Sequence, residues 1–225
     1  QSNHLSQLAF KYADELQLLS RARIGGPPAE TGEPKADTAG ASEAEYMIAQ
    51  SYLDKGEFEK ALDITTKALE KYNHTVSIGC HDMIYAHAQA LYRLEHYEES
   101  RVYFEEMYLM ATLLGEKSRI INGLKWRASC AKVLGEKEKS LELYRELENL
   151  CDDNDDKAGL ASVYFEMATH AFLYDNDFDE AFELMDKTIK IVKELGNRAW
   201  LVTIHGTRIN MYYTLNRFDR VHEVF

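Results

Sequence analysis

Proline is nearly absent, and the place where it stops is informative. The three prolines, at 27, 28 and 34, fall in one short stretch, so everything after residue 34 is free of the residue that most strongly breaks a helix. Cysteine is just as scarce. Cys80, Cys130 and Cys151 are odd in number and show no CxxC or Cys/His ligand spacing, which argues for reduced thiols in a cytoplasmic compartment rather than a disulfide framework or zinc site. No apolar run approaches the ~18 residues that span a bilayer, and no secretory signal pattern is present. Positive charge is in the minority, with 26 Lys and Arg against 38 Asp and Glu for a net charge of −12. Duplex nucleic acid calls for a basic face, so this balance speaks against direct nucleic-acid contact and leaves a basic or neutral partner open.

The residue groupings that carry chemistry are missing too. There is no glycine-rich phosphate loop or nucleophile elbow, and register suggests no Ser/His/Asp or Cys/His grouping. The eight histidines are scattered; His81 and His87 are six apart, off a shared helical face, and His205 and His222 lie across a turn. The acidic run Asp152–Asp156 resembles a calcium loop but lacks its glycine and has Val163 where the closing glutamate belongs; Asp175–Asp179 fails likewise, at Glu180. The expectation is no metal, no cofactor and no enzyme.

What is present is a repeat. Lys55-Gly-Glu-Phe-Glu-Lys-Ala61 sets an aromatic just after a turn and a small residue three positions on. The phrase returns at Tyr97/Ser100, Lys137/Ser140, Phe178/Ala181 and Phe218/Val221, in steps of 39, 40, 41 and 40 residues. Such a fixed period marks stacked supersecondary units. Here each unit reads as a helix A and a helix B: 42–54 with 58–72, 80–94 with 97–114, 118–134 with 137–151, 157–174 with 178–195, and 197–215 followed by an unfinished helix from 218. Gly115 and Gly196, each preceded by Leu, suit C-terminal caps at positive φ.

Upstream, Gln1-Ser2-Asn3 reads as the remnant of a cleaved tag. Residues 4–23 form an amphipathic pattern with Leu5, Leu8, Tyr12, Leu16 and Leu19 at steps of three and four. Residues 24–41, rich in Gly, Pro and small side chains, read as a flexible linker. Ser42 with Glu45 matches a capping box and sets the expected start of the repeat domain, 42–225.

The units resemble the tetratricopeptide repeat, with Ala49 and Tyr52, Ala88, Ala128, Ala61 and Ala68, Ser100 and Phe104, Ser140 and Tyr144, and Ala181 and Met185 at its small and large positions. The fifth unit contributes Tyr212, Val221 and Phe225. The period near 40 exceeds the ~34 of the common form and is similar to that of bacterial peptide-pheromone receptors of the Rap, PlcR and NprR type and of LGN-like and kinesin-light-chain-like scaffolds. Thr169 and Ile209 depart from the pattern, and no unit ends in proline. The resemblance implies an all-α, right-handed α-solenoid of four full repeats and a partial fifth.

It also implies that helix A faces line a concave groove. One position past the mid-helix small residue stand Gln50, Gln89, Ser129, His170 and Asn210, a polar ladder. Amides donate and accept at once, as an extended peptide backbone requires. One turn away stand the aromatics Tyr46, Tyr85, Tyr92, Trp126, Tyr174 and Tyr213. They suit side-chain pockets and equally suit repeat packing. Arg93, Lys125 and Lys132 form a cationic centre, with Glu43, Asp54, Asp82 and Glu166 elsewhere. The leading expectation is a non-catalytic module holding a peptide or extended protein segment, part of a larger protein. The alternatives are a peptide-sensing regulator that switches an attached effector or DNA-binding domain, and a structural assembly scaffold. The open fifth unit would be covered by truncated sequence or by homodimerisation.

Overall fold

The computed structural model describes residues 36–72 and 77–224; the expectations for 1–3, 4–23 and 24–35 lie outside the described residues. The chain divides into two compact units, one running to Leu134 and one starting at Gly135. The first holds α1 (Ala36–Asp54), α2 (Phe58–Tyr72), α3 (Ile78–Arg93), α4 (Tyr97–Leu114) and α5 (Lys117–Val133). The second holds α6 (Lys137–Asp153), α7 (Lys157–His170), α8 (Phe178–Glu194), α9 (Arg198–Thr214) and a terminal 3₁₀ helix, Phe218–Val224. Among the described residues there is no strand, and no helix is long and apolar enough to cross a membrane.

The turns carry the period. Each A-to-B turn contains one residue at positive φ, namely Gly56, Glu95, Gly135, Asn176 and Asn216, in steps of 39, 40, 41 and 40. B-to-A turns do the same at Gly115, Asp155 and Gly196. This left-handed conformation lets the chain reverse immediately after a helix. Four helix starts carry a side-chain cap: Ser77, Asp156, Asp177 and Asn197 each accept a hydrogen bond from the backbone N–H three residues on. Two of the acids that resembled calcium ligands, Asp156 and Asp177, are thus helix caps.

Small residues set the packing. In the first unit Ala49, Ala61, Ala86 and Ala90 are buried in one cluster where α1, α2 and α3 meet. Ser100 of α4 donates a 2.9 Å hydrogen bond to the Ala88 carbonyl of α3. A second cluster joins Met83 and Ile84 of α3 to Phe104, Met107 and Met110 of α4 and Cys130 of α5. In the second unit Tyr144, Leu147, Ala161, Ala181, Met185 and Ile204 are buried. Small side chains let backbones approach, and large ones fill what remains.

Three expectations are corrected. The capping box at Ser42 is not the start of the first helix: α1 begins at Ala36, so 36–41 are not linker. Ser42 is instead buried, with its Oγ against Gly79 of α3. The helix expected over 157–174 closes at His170 and continues as a π-turn, Ala171–Asp175. That turn absorbs the one extra residue behind the 41-residue step: positive-φ residues 155 and 176 bracket 21 positions, against 20 between 115 and 135 and between 196 and 216. Residues 218–224 form a 3₁₀ helix rather than the opening of an α-helix.

Candidate functional site

The ladder residues are equivalent by structure as well as by sequence. Gln50, Gln89, Ser129, His170 and Asn210 each lie six positions before the positive-φ residue of their own turn. Their surroundings differ. Gln50 is half-buried and donates 2.9 Å to Asp54 on its own helix. Gln89 is half-buried and makes no side-chain hydrogen bond among the described residues. Ser129 turns its hydroxyl back onto the Lys125 carbonyl at 3.0 Å.

Around Gln89, helices α1, α3 and α5 of the first unit bring several expected residues together. Tyr85 Oη accepts a 3.3 Å hydrogen bond from Trp126 Nε1. The Trp126 ring lies edge-on to Tyr92 at 5.3 Å and stacks on Phe104 at 4.7 Å. Tyr46 faces the same group: burial, with the Asp82 carboxylate and Tyr85 beside it, pushes its phenol above the usual range. Arg93 and Lys125 are exposed and make no ion pair among the described residues, and Lys132 is half-buried.

At one edge of this face Arg119 of α5 donates to both carboxylate oxygens of Asp82 and lies 2.8 Å from His81 Nδ1. Burial pushes the Asp82 carboxyl up, but hydrogen bonds from His81 and Arg119 outweigh it and hold the group below its ordinary range. His81 is 1 % exposed, and its Nε2 has no hydrogen-bond partner among the described residues. Sequence reasoning missed Arg119 and set His81 aside as an isolated histidine. The available signal was Arg119 lying 37 residues, close to one period, after Asp82. It also missed Asn122 of α5, half-buried and without a side-chain partner among the described residues.

The second unit holds the remaining four. His170 is 3 % exposed, with Nδ1 3.2 Å from Asp175 Oδ2 and Nε2 3.2 Å from the Lys137 carbonyl. Its neighbour Tyr174 lies edge-on at 5.0 Å and carries Lys137 Nζ 4.5 Å above its ring. Both His170 nitrogens are therefore engaged inside the unit. Asn210 and Tyr213 stand exposed on α9.

These stacked helix pairs are a tetratricopeptide-like all-α repeat fold, of a class generally used for protein–protein interaction. A family model described as anaphase-promoting complex, cyclosome, subunit 3 matches residues 7–107, from upstream of α1 into α4. BtubC (BKLC) from P. vanneervenii is 17 % identical at a TM-score of 0.69, over 96 % of this chain and 87 % of that one. A Podosopora anserina protein of nearly identical TPR-like repeats is 12 % identical at 0.65, over 85 % and 93 %. A Pyrococcus horikoshii signal transduction ATPase with numerous domains, bearing a tetratricopeptide repeat sensor, is 16 % identical at 0.70 over 95 % of this chain and 32 % of its own length. No curated protein matches the sequence. At these identities the likeness is one of fold.

Proposed function

We propose that the chain is a non-catalytic, cytoplasmic interaction module that holds an extended peptide or protein segment across the α1, α3 and α5 face of its first unit. The observation that carries this reading is the pairing of open amides with aromatics. Gln89 and Asn122, half-buried and unpartnered, flank Tyr85, Tyr92 and Trp126, which are locked together by a hydrogen bond and edge-on contacts. An extended segment brings unpaired N–H and C=O groups that such amides satisfy. A preordered aromatic surface takes its apolar side chains at low entropic cost. Arg93 and Lys125 add unpaired positive charge beside Tyr92 and Trp126. Tyr46 and Gln50 extend the same face onto α1, with Ser129 at its α5 end.

The reactive groups are held in ways that suit packing rather than chemistry. Burial pushes the Cys130 thiol up to about 12, far from a nucleophile's range. His87 is buried with its Nδ1 2.9 Å from Thr65 Oγ1, and His170 is engaged as described. Cys80, Cys130 and Cys151 are all buried thiols outside any disulfide, in keeping with a reducing compartment.

The test is selection of a displayed peptide library on the immobilised chain, followed by affinities of the enriched peptides for wild type and for Gln89→Ala/Asn122→Ala. Each lost amide leaves peptide groups unpaired at about 1–3 kcal/mol, so the double variant should weaken binding at least tenfold. Peptides that bind both chains equally would remove the site from this face.

A further inference from the structure

We infer that the segment held on the α1, α3 and α5 face is acidic, its aspartate or glutamate side chains pairing with Arg93 and Lys125. The inference rests on the peptide reading above and names the chemistry of its partner. α5 carries Lys117, Arg119, Lys125, Arg127 and Lys132 and not one Asp or Glu, in a chain whose acids outnumber its bases by 38 to 26.

Helices elsewhere in the chain neutralise their own lysines. Lys67 pairs with Asp63 on α2, Lys139 with Glu142 on α6 and Lys187 with Glu183 on α8, each within one turn. α5 has no carboxylate with which to do so, and its cations are met from other helices or from outside. Arg119 holds both carboxylate oxygens of Asp82 on α3, and Arg127 donates a 2.6 Å hydrogen bond to Glu105 on α4. Lys125 is exposed and has no ion pair among the described residues.

Arg93 of α3 is in the same position, exposed and pairing with neither Glu43 nor Asp54 of α1. From Met83 to Arg93 the helix contains no acidic residue. Placement ties both cations to the proposed site. Arg93 comes four positions after Gln89, and Lys125 comes three after Asn122 and four before Ser129. At 3.6 residues per turn, each shares the helix strip of the open amides. Their sequence neighbours Tyr92 and Trp126 meet edge-on with centroids 5.3 Å apart.

The same two helices show what such a cation accepts. Near their N-terminal ends the chain supplies the anion itself, with the Asp82 carboxylate in the fork of Arg119. Further along, Arg93 and Lys125 offer the same chemistry with no anion from the chain. The aromatic rings beside them exclude water, which strengthens a pair formed there over one on open surface. The net charge of −12 repels an acidic segment from the rest of the molecule and so favours its arrival at this face.

Random displayed peptides, flanked at both ends by fixed sequence so that no free carboxyl terminus is offered, are selected on the full chain, on Arg93→Gln/Lys125→Gln and on Lys190→Gln. Lys190 is an exposed lysine of α8 in the second unit and serves as the control. Asp and Glu should be enriched, and Lys and Arg depleted, on wild type and on Lys190→Gln, and the bias should vanish on the double variant. For the acidic peptides recovered, the double variant should weaken affinity about tenfold, mainly through slower association, with circular dichroism unchanged. Raising NaCl from about 50 to 500 mM should erase most of that difference. A composition without acidic bias overturns the inference, as does a bias that survives the double variant or equal competition by a single-stranded oligonucleotide. Peptides lost on Gln89→Ala/Asn122→Ala but indifferent to Arg93→Gln/Lys125→Gln would keep the peptide face and remove its acidic partner. A selection that enriches nothing removes both.

Discussion

The two mid-helix glycines Gly123 and Gly206 have opposite surroundings, and replacing each by alanine tests the packing account. In an exposed helix, glycine to alanine gains about 1 kcal/mol. Gly206 has open space, so Gly206→Ala should show that gain. At Gly123 a Cβ would stand 3.0 Å from Tyr108 Cβ, 3.1 Å from Tyr108 Cα and 3.3 Å from Tyr108 Cδ2. One of these atoms belongs to the α4 backbone, so α4 and α5 must separate by several tenths of an ångström. Overpacking of this kind costs about 1–3 kcal/mol; set against the ~1 kcal/mol propensity gain, Gly123→Ala should be destabilising by ~1 kcal/mol. Repeat arrays open in parts, so the assay is hydrogen exchange resolved by helix, beside urea unfolding. Faster exchange is expected in α4 and α5 for Gly123→Ala, and slower exchange in α9 for Gly206→Ala. Equal stabilisation by both would refute the claim that small residues set helix approach here.

Glu95 holds φ +65° where the neighbouring repeats have Gly56 and Gly135; Glu95→Gly should raise stability by about 0.5–1 kcal/mol in urea unfolding, and a loss would contradict the turn assignment. Asp82 is held below the ordinary carboxylate range, so its contribution is present above about pH 4 and is lost as pH falls through its native value. Asp82→Asn should therefore flatten the acid limb of first-unit stability. Burial, with Lys193 and Arg208 nearby, holds His205 below the ordinary imidazole range. Second-unit stability should thus be fullest above about pH 6.5 and fall as pH drops through the native value, a dependence that His205→Gln removes. All three thiols are buried; the native chain should leave an aromatic disulfide reagent unreacted at about pH 8 and react only on unfolding.

The architecture was legible because its signal is repeated. Turn phrases at Phe58, Tyr97, Lys137, Phe178 and Phe218 placed most helix ends within one or two residues, since a helix must stop where the chain takes positive φ. The start of α1 was not legible. Ala36-Asp-Thr-Ala-Gly-Ala41 has the composition of a linker, and local composition does not reveal that α1 continues through it. The π-turn was half visible, as a period of 41, but spacing alone does not say which helix takes up the extra residue.

For the candidate site, register found the equivalent positions from Gln50 to Asn210 but not what covers each. His170 is engaged by Asp175, which the π-turn swings back, and by a carbonyl of α6. Neither contact has a counterpart in the other repeats' sequences. Arg119 was invisible because its meaning depends on Asp82 and His81, one repeat away on another helix.

The most direct test of the interaction account is side-chain footprinting of the chain with and without a peptide enriched by selection. Carbene labelling, mapped by mass spectrometry, should fall on Tyr46, Tyr85, Gln89, Asn122 and Trp126 when the peptide binds, leaving the outward residues of α2 and α4 unchanged. Protection confined to α2 and α4, with the α1, α3 and α5 face still labelled, would contradict the account.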